Sequence, residues 1–251
     1  MSRRSFDDTT LWRISAYEQL LDKDADSGFA QLSRATVLPT SLNAELSHLE
    51  HRQQSSDVIE VLAACIRQRE SALILLRMGG LVWPLTLFPQ QNLYHLPRSI
   101  IEPLQAGGHD VAVMGVEPPG LRPPGHVLHE RIAERPTYRH LPPLLWALAL
   151  HAPNGRLIEE ISGHAAYRIT ADVGAEGAPG GAMQSSLTRL RTEIASLRDI
   201  AGWPGMGPER AARLLNGAYL QGGVIVLRNH RAARPAGDTR RGILGWLRGR
   251  R

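Results

Sequence analysis

The sequence predicts an α+β protein in two parts: a small N-terminal α+β domain built on an antiparallel sheet, joined to a second, C-terminal domain. Three observations carry this. The hydrophobic period changes from helical to strand-like after Glu70, where "SALILLRM", "LVWPLTLF" and "NLYHL" follow one another across short turns. "DVGAEGAPGGA", residues 172–182, has the small-residue composition of a linker. Beyond it the apolar pattern reads helix, helix, turn, helix, strand. At 251 residues the chain is long enough for one large core or two small ones.

Taken in order, residues 1–54 read as a helical N-terminal segment, with helices over 9–21 and 41–53 separated by a turn at Pro39. Residues 55–170 form the expected α+β sensing or docking domain. Its first helix starts at Asp57, which with Glu60 makes a capping box, and Val58, Val61, Leu62, Cys65 and Ile66 repeat at helical spacing. Cys65 on that stripe reads as a core thiol rather than a nucleophile. Gly79–Gly80 closes a hairpin, and Pro84 predicts that the second strand lies at an edge or carries a bulge. Ser99 and Glu102 cap a short helix ended by Gly107–Gly108, and "DVAVMGV" is a buried strand. "EPPGLRPPG" is a stiff extended connection, and "LPPLLWALAL" is a helix with prolines in its first turn. "RLIEEI" and "AAYRIT" close this domain. Residues 171–184 are the linker, and the domain boundary is expected there. Residues 185–230 form the second domain, and 231–251 a basic tail.

Charge places the basicity in that tail. The net charge is +5, yet residues 228–251 hold eight Arg against Asp238 alone, a local +7 that leaves −2 for residues 1–227. Lys23 is the only lysine. So strong a preference for Arg is the bacterial-like bias that base composition produces, and it is not read as selection for phosphate binding. A single cysteine excludes a disulfide framework and a cysteine-based zinc site. The N-terminus has no apolar core behind its arginines, and the longest apolar runs are too short or contain proline. No transmembrane segment and a cytoplasmic location are expected.

Patterns that resemble catalytic or metal sites dissolve on inspection. Asp22, Asp24 and Asp26 have calcium-loop spacing, but Ser27 and Ser33 stand where that loop needs Gly and Glu. His126, His129 and Glu130 lack the zincin order, and no nucleophile elbow or phosphate-binding glycine loop is present. The expectation is therefore no catalytic residue, no metal and no cofactor.

The chemistry concentrates in "SLRDIAGWPGMGPERAARLL", residues 196–215. Ser196 and Asp199 cap a short helix, "WPGMG" breaks it, and Pro208 opens the next helix. Ala211, Leu214, Leu215, Ala218 and Tyr219 then make a buried stripe, leaving Arg210, Arg213 and Asn216 on the open side. "GGVIVL" supplies a turn and a strand over 224–227. Trp203–Pro204–Gly205–Met206–Gly207–Pro208 with Ala211 resembles the helix-hairpin-helix motif of DNA repair and replication proteins. That resemblance implies a phosphate held by backbone N–H groups around Gly205 and Gly207. Over about 45 residues, the element order resembles a winged-helix domain with 208–220 in the recognition-helix position. The fold class expected is thus α+β with a C-terminal winged-helix-like domain.

From these residues a non-enzymatic regulatory or adaptor protein is expected, with Gly205, Gly207, Arg210, Arg213, Asn216 and Arg228 binding a protein partner or nucleic acid. The alternative is a DNA-binding protein that uses the phosphate-gripping hairpin; an enzyme with an unrecognised site comes third. The tail residues Arg240, Arg241, Trp246, Arg248, Arg250 and Arg251 are candidates for contact with an anionic surface.

Overall fold

A computed structural model of the chain describes residues 11–19, 38–107, 110–127, 131–151, 153–170, 173 and 176–233. The acidic turn at Asp22, Asp24 and Asp26 lies outside the described residues, as do His129, Glu130 and the basic-tail candidates Arg240, Arg241, Trp246, Arg248, Arg250 and Arg251. The fold is mixed α+β with two antiparallel sheets.

The chain divides into two compact units, Met1–Asn154 and Gly155–Arg251. The division falls well ahead of the Gly-rich stretch at 171–184, where the sequence places it. The reason is pairing. The strand Ala166–Ile169, expected at the end of the first domain, hydrogen-bonds to Val224–Leu227 and to Ala195–Ser196. The Gly-rich stretch therefore lies inside the second unit; Val173 within it is buried, and a helix already begins at Gly181.

In the first unit β1 (Trp12–Arg13) is followed by helical residues 14–19, then α1 (Thr40–His51) and α2 (Val58–Gln68). The Asp57 carboxylate accepts a hydrogen bond from Ile59 N at 3.0 Å, so it caps α2 as its place before the apolar stripe predicts. β2 (Ala72–Met78) and β3 (Leu81–Phe88) make the hairpin, with Met78 opposite Leu81. Gly79 and Gly80 take φ +58° and +77°, the two positive values a tight hairpin turn needs. β4 (Leu93–His95), α3 (Ile101–Ala106), β5 (Ala112–Glu117), β6 (Tyr138–His140) and α4 (Leu141–His151) complete the unit.

The sheet order is β5-β2-β3-β4-β6, with β1 also on β3. β3 is thus an inner strand, not the edge that Pro84 suggests. The register explains why the proline is tolerated. β1 pairs with Leu81 and Val82 and β4 pairs with Thr86 to Phe88, so on that side Pro84 lies between the two paired stretches. Both faces of the hairpin are buried. Leu73, Leu75 and Val82 pack with Tyr17, Trp12 and Ile14, and Ile74, Leu76, Leu85 and Leu87 fill the opposite face. Such two-sided burial is why these strands read as continuous apolar runs rather than alternating ones.

The second unit contains β7 (Ala166–Ile169), α5 (Gly181–Leu190), β8 (Ala195–Ser196), α6 (Leu197–Ala201), α7 (Pro208–Leu220) and β9 (Val224–Leu227). From α5 onward the order is helix, strand, helix, turn, helix, strand. The central strand of its sheet, order β8-β7-β9, comes from ahead of α5. No helix among the described residues is long and apolar enough to cross a membrane.

Candidate functional site

The opening turn of α6 carries the reciprocal cap its sequence predicts: Asp199 N donates to Ser196 Oγ at 3.3 Å, and Ser196 N donates to Asp199 Oδ2 at 2.9 Å. The helix stops after Ala201. Met206 N then donates to Trp203 O at 3.0 Å, closing a turn with Pro204 second and Gly205 third, the order that demands positive φ at the third residue. Gly205 has φ +72°, and a Cβ there would lie 2.7 Å from the Ala182 Cβ on α5. Turn conformation and helix packing both require this glycine. Gly207 differs: it is extended at φ −176°, and an added Cβ would meet nothing within 4 Å. Pro208 begins α7 directly after it.

On α7 the core stripe stands as expected, with Ala211, Leu214, Leu215 and Ala218 fully buried. Tyr219 is the exception; it is only partly buried, and its hydroxyl donates to Glu160 Oε2 at 2.6 Å. The expected open side is largely closed. Arg210 is exposed, but Arg213 has 19% side-chain exposure and donates to Glu209 one turn back at 2.7 Å. Asn216 is 1% exposed. Its Oδ1 accepts from Ile158 N at 3.0 Å and its Nδ2 donates to Arg156 O at 2.7 Å. As a residue reaching outward to a ligand, Asn216 is corrected: both ends of its amide are engaged inside the unit.

The cover is the segment 155–162, which lies along α7. Gly155 lies against the Glu209 side chain near the start of the helix, Arg156 and Ile158 meet Asn216, and Glu160 reaches Tyr219 near its end. The second half of the segment is a 3-10 turn, Glu159–Ile161, in which Ile161 N donates to Ile158 O at 3.1 Å and Ser162 N donates to Glu159 O at 3.0 Å. Ile158 and Ile161 are buried, while Arg156, Glu159 and Glu160 are exposed. Arg228, beyond β9, anchors the far end by donating to Glu160 O at 2.6 Å and Ser162 O at 2.9 Å. Of the six expected binding residues, then, Asn216 and Arg228 hold this segment, and Arg213 is paired on its own helix. Gly205 is needed for packing, and Gly207 and Arg210 stand open.

Two features escaped the sequence. The segment 155–162 is one; its only signal is an uncharged polar residue, Asn216, inside the apolar run "AARLLNGAYL". The other is Arg189 on α5, whose guanidinium lies 4.3 Å from the centre of the Trp203 ring while pairing with Glu193. No sequence spacing joins positions 189 and 203.

In the first unit Cys65 is fully buried, and burial, with a smaller contribution from Glu45, pushes its thiol up to about 12. A thiol in that setting is a poor nucleophile. Among the described residues no group of three or more His, Cys, Asp or Glu side chains is placed to hold a metal ion. No protein-family model matches the chain, and neither a curated protein nor a solved structure matches it.

Proposed function

We propose that this is a non-enzymatic regulatory or adaptor protein of the cytoplasm whose second unit docks a protein partner. The second unit is, on this reading, a winged-helix-like module in which β7 supplies the third strand. The observation that carries the proposal is the covered helix. In a DNA-reading winged helix the helix at the position of α7 presents a polar face to the groove and several cations to the phosphates. Here the face through Asn216 lies under residues 155–160, and Arg213 and Arg228 are committed to Glu209 and to backbone carbonyls. Arg210 is left as the exposed cation on α7 among those expected to bind.

The runner-up is the phosphate-gripping hairpin, and the two glycines weigh differently in it. Gly205 is accounted for by its turn and by Ala182, so it is not evidence for a phosphate. Gly207 is free of both constraints, and it is where the grip can be tested. Fluorescence anisotropy with random duplex DNA, followed across salt, separates the readings. A chain ending at Ala233 is expected not to bind at physiological salt, because few cations are available to release counterions. Binding that disappears with residues 234–251 belongs to the basic tail. Salt-sensitive binding that survives their removal and is lost in Gly207→Ala would replace the docking reading with the hairpin.

A further inference from the structure

We propose that two copies of this chain associate through β9, the strands pairing antiparallel about a twofold axis at Ile225. This goes beyond the docking reading above and does not depend on it. The two edges of the second sheet are unlike. At one edge β8 is two residues long, runs straight into α6 and has the turn Arg231–Ala233 beside it, with Ala233 buried. At the other edge β9 pairs, among the described residues, with β7 alone. Its sequence, Val-Ile-Val-Leu, holds no charge and no proline, two of the devices that keep an edge strand from pairing. Ile225 is 42% exposed, and among the described residues it shares such exposure of a large hydrophobic side chain with Val127 alone.

The register of β9 on β7 decides which of its backbone groups face outward. Thr170 N donates to Gly223 O at 2.9 Å, and these residues stand opposite each other, one step beyond the Ile169–Val224 pair. Bonded and non-bonded pairs alternate along an antiparallel ladder. Ile225 and Leu227 therefore turn their amide and carbonyl groups to β7, and Val224 and Val226 turn theirs away from it. A second β9 must match outward residue to outward residue. Setting Val224 opposite Val226 of the second copy does this for both valines of each strand, and it sets Ile225 opposite itself. An axis centred on either valine would instead leave the other valine opposite Gly222 or Arg228. Side chains directly opposite share a face of the sheet with Cβ atoms about 5 Å apart, so each exposed Ile225 covers the other. Charge agrees with this register. Arg228 falls opposite Gly222 of the second copy, and the two Arg228 lie at opposite ends of the paired strands. Four residues a side make a small interface, so the dimer is weak and its population depends on concentration.

The test uses the full chain. Sedimentation velocity should show a dimer that grows with concentration. Ile225→Glu and Ile225→Arg each set like charges face to face at the axis, and each should stay monomeric. An equal mixture of the two should regain the dimer, because opposite charges then meet. Cysteine coupling checks the register independently. Oxidised Ile225→Cys should run as a covalent dimer on a non-reducing gel, whereas the unaltered chain should not, since Cys65 is buried. Val224→Cys should couple poorly, because its counterpart lies on the diagonal at about 7–8 Å, outside disulfide reach. A chain that is monomeric at every concentration would overturn the proposal. So would a dimer that survives in Ile225→Glu, a mixture that stays monomeric, or equal coupling of the two cysteine variants. All of these outcomes leave the docking reading standing.

Discussion

Two sites, one in each unit, treat buried polar side chains in opposite ways. In the second, the amide of Asn216 is matched at its oxygen and its nitrogen by the backbone of residues 156–158. In the first, Thr86 and His95 are cross-strand partners on β3 and β4, and neither Thr86 Oγ1 nor His95 Nδ1 has a protein hydrogen-bond partner. The Tyr138 ring lies 5.3 Å from that of His95, but its hydroxyl is turned away, donating to Arg122 O at 2.6 Å and accepting from Ala133 N. A buried polar side chain is therefore an anchor at Asn216 and a cost at Thr86 and His95. The same residue class has opposite effects depending on whether a partner arrives.

Acid should give the largest effect. Burial first, and the nearby Arg139 second, lower the His95 ring from 6.5 to about 4. A group depressed in the folded state binds its proton more readily when unfolded, so stability is complete above pH 6.5 and falls as pH drops towards 4. The loss should approach about 3 kcal/mol. Urea titrations at pH 7 and pH 4.5 measure it, and His95→Gln should flatten the difference; an unchanged slope in that variant would assign the acid sensitivity to another group.

Removing the matched amide comes next. Asn216→Ala leaves Ile158 N–H and Arg156 C=O without their partner and should cost about 1–3 kcal/mol in denaturant unfolding. A neutral result would mean that the segment 155–162 contributes little to the folded second unit.

A thiol needs no hydrogen bond, so Cys65 lies between the two cases. Cys65→Ala should cost about 1 kcal/mol through lost packing, and the native thiol should resist alkylation until the protein unfolds. Fast labelling of the native chain would place Cys65 outside the core. The smallest change is expected at Thr86. Thr86→Val keeps the shape and removes an unmatched hydroxyl, so it should be neutral or stabilising by up to about 1 kcal/mol. A clear destabilisation would reveal a bond that Thr86 makes in solution.

Much of the fold was legible because it is local. The Asp57 cap, the Gly79–Gly80 turn, the Ser196–Asp199 box and Pro208 at the head of α7 are each set by residues within a few positions of one another. The site was less legible because it is not local. The stripe of Arg210, Arg213 and Asn216 is a true face of α7, yet what meets that face sits some 60 residues upstream.

By itself the sequence determined the mixed α+β class, the antiparallel hairpin, the extent of α7 and β9, and the burial of Cys65, since each follows from periodicity, turn chemistry and capping over short range. Only the tertiary structure decided which strand completes the second sheet, where the chain divides, and that Asn216 faces inward. Those outcomes depend on long-range hydrogen bonds. Donors and acceptors are present on nearly every residue of the backbone, so no pattern in the side chains announces which of them will meet.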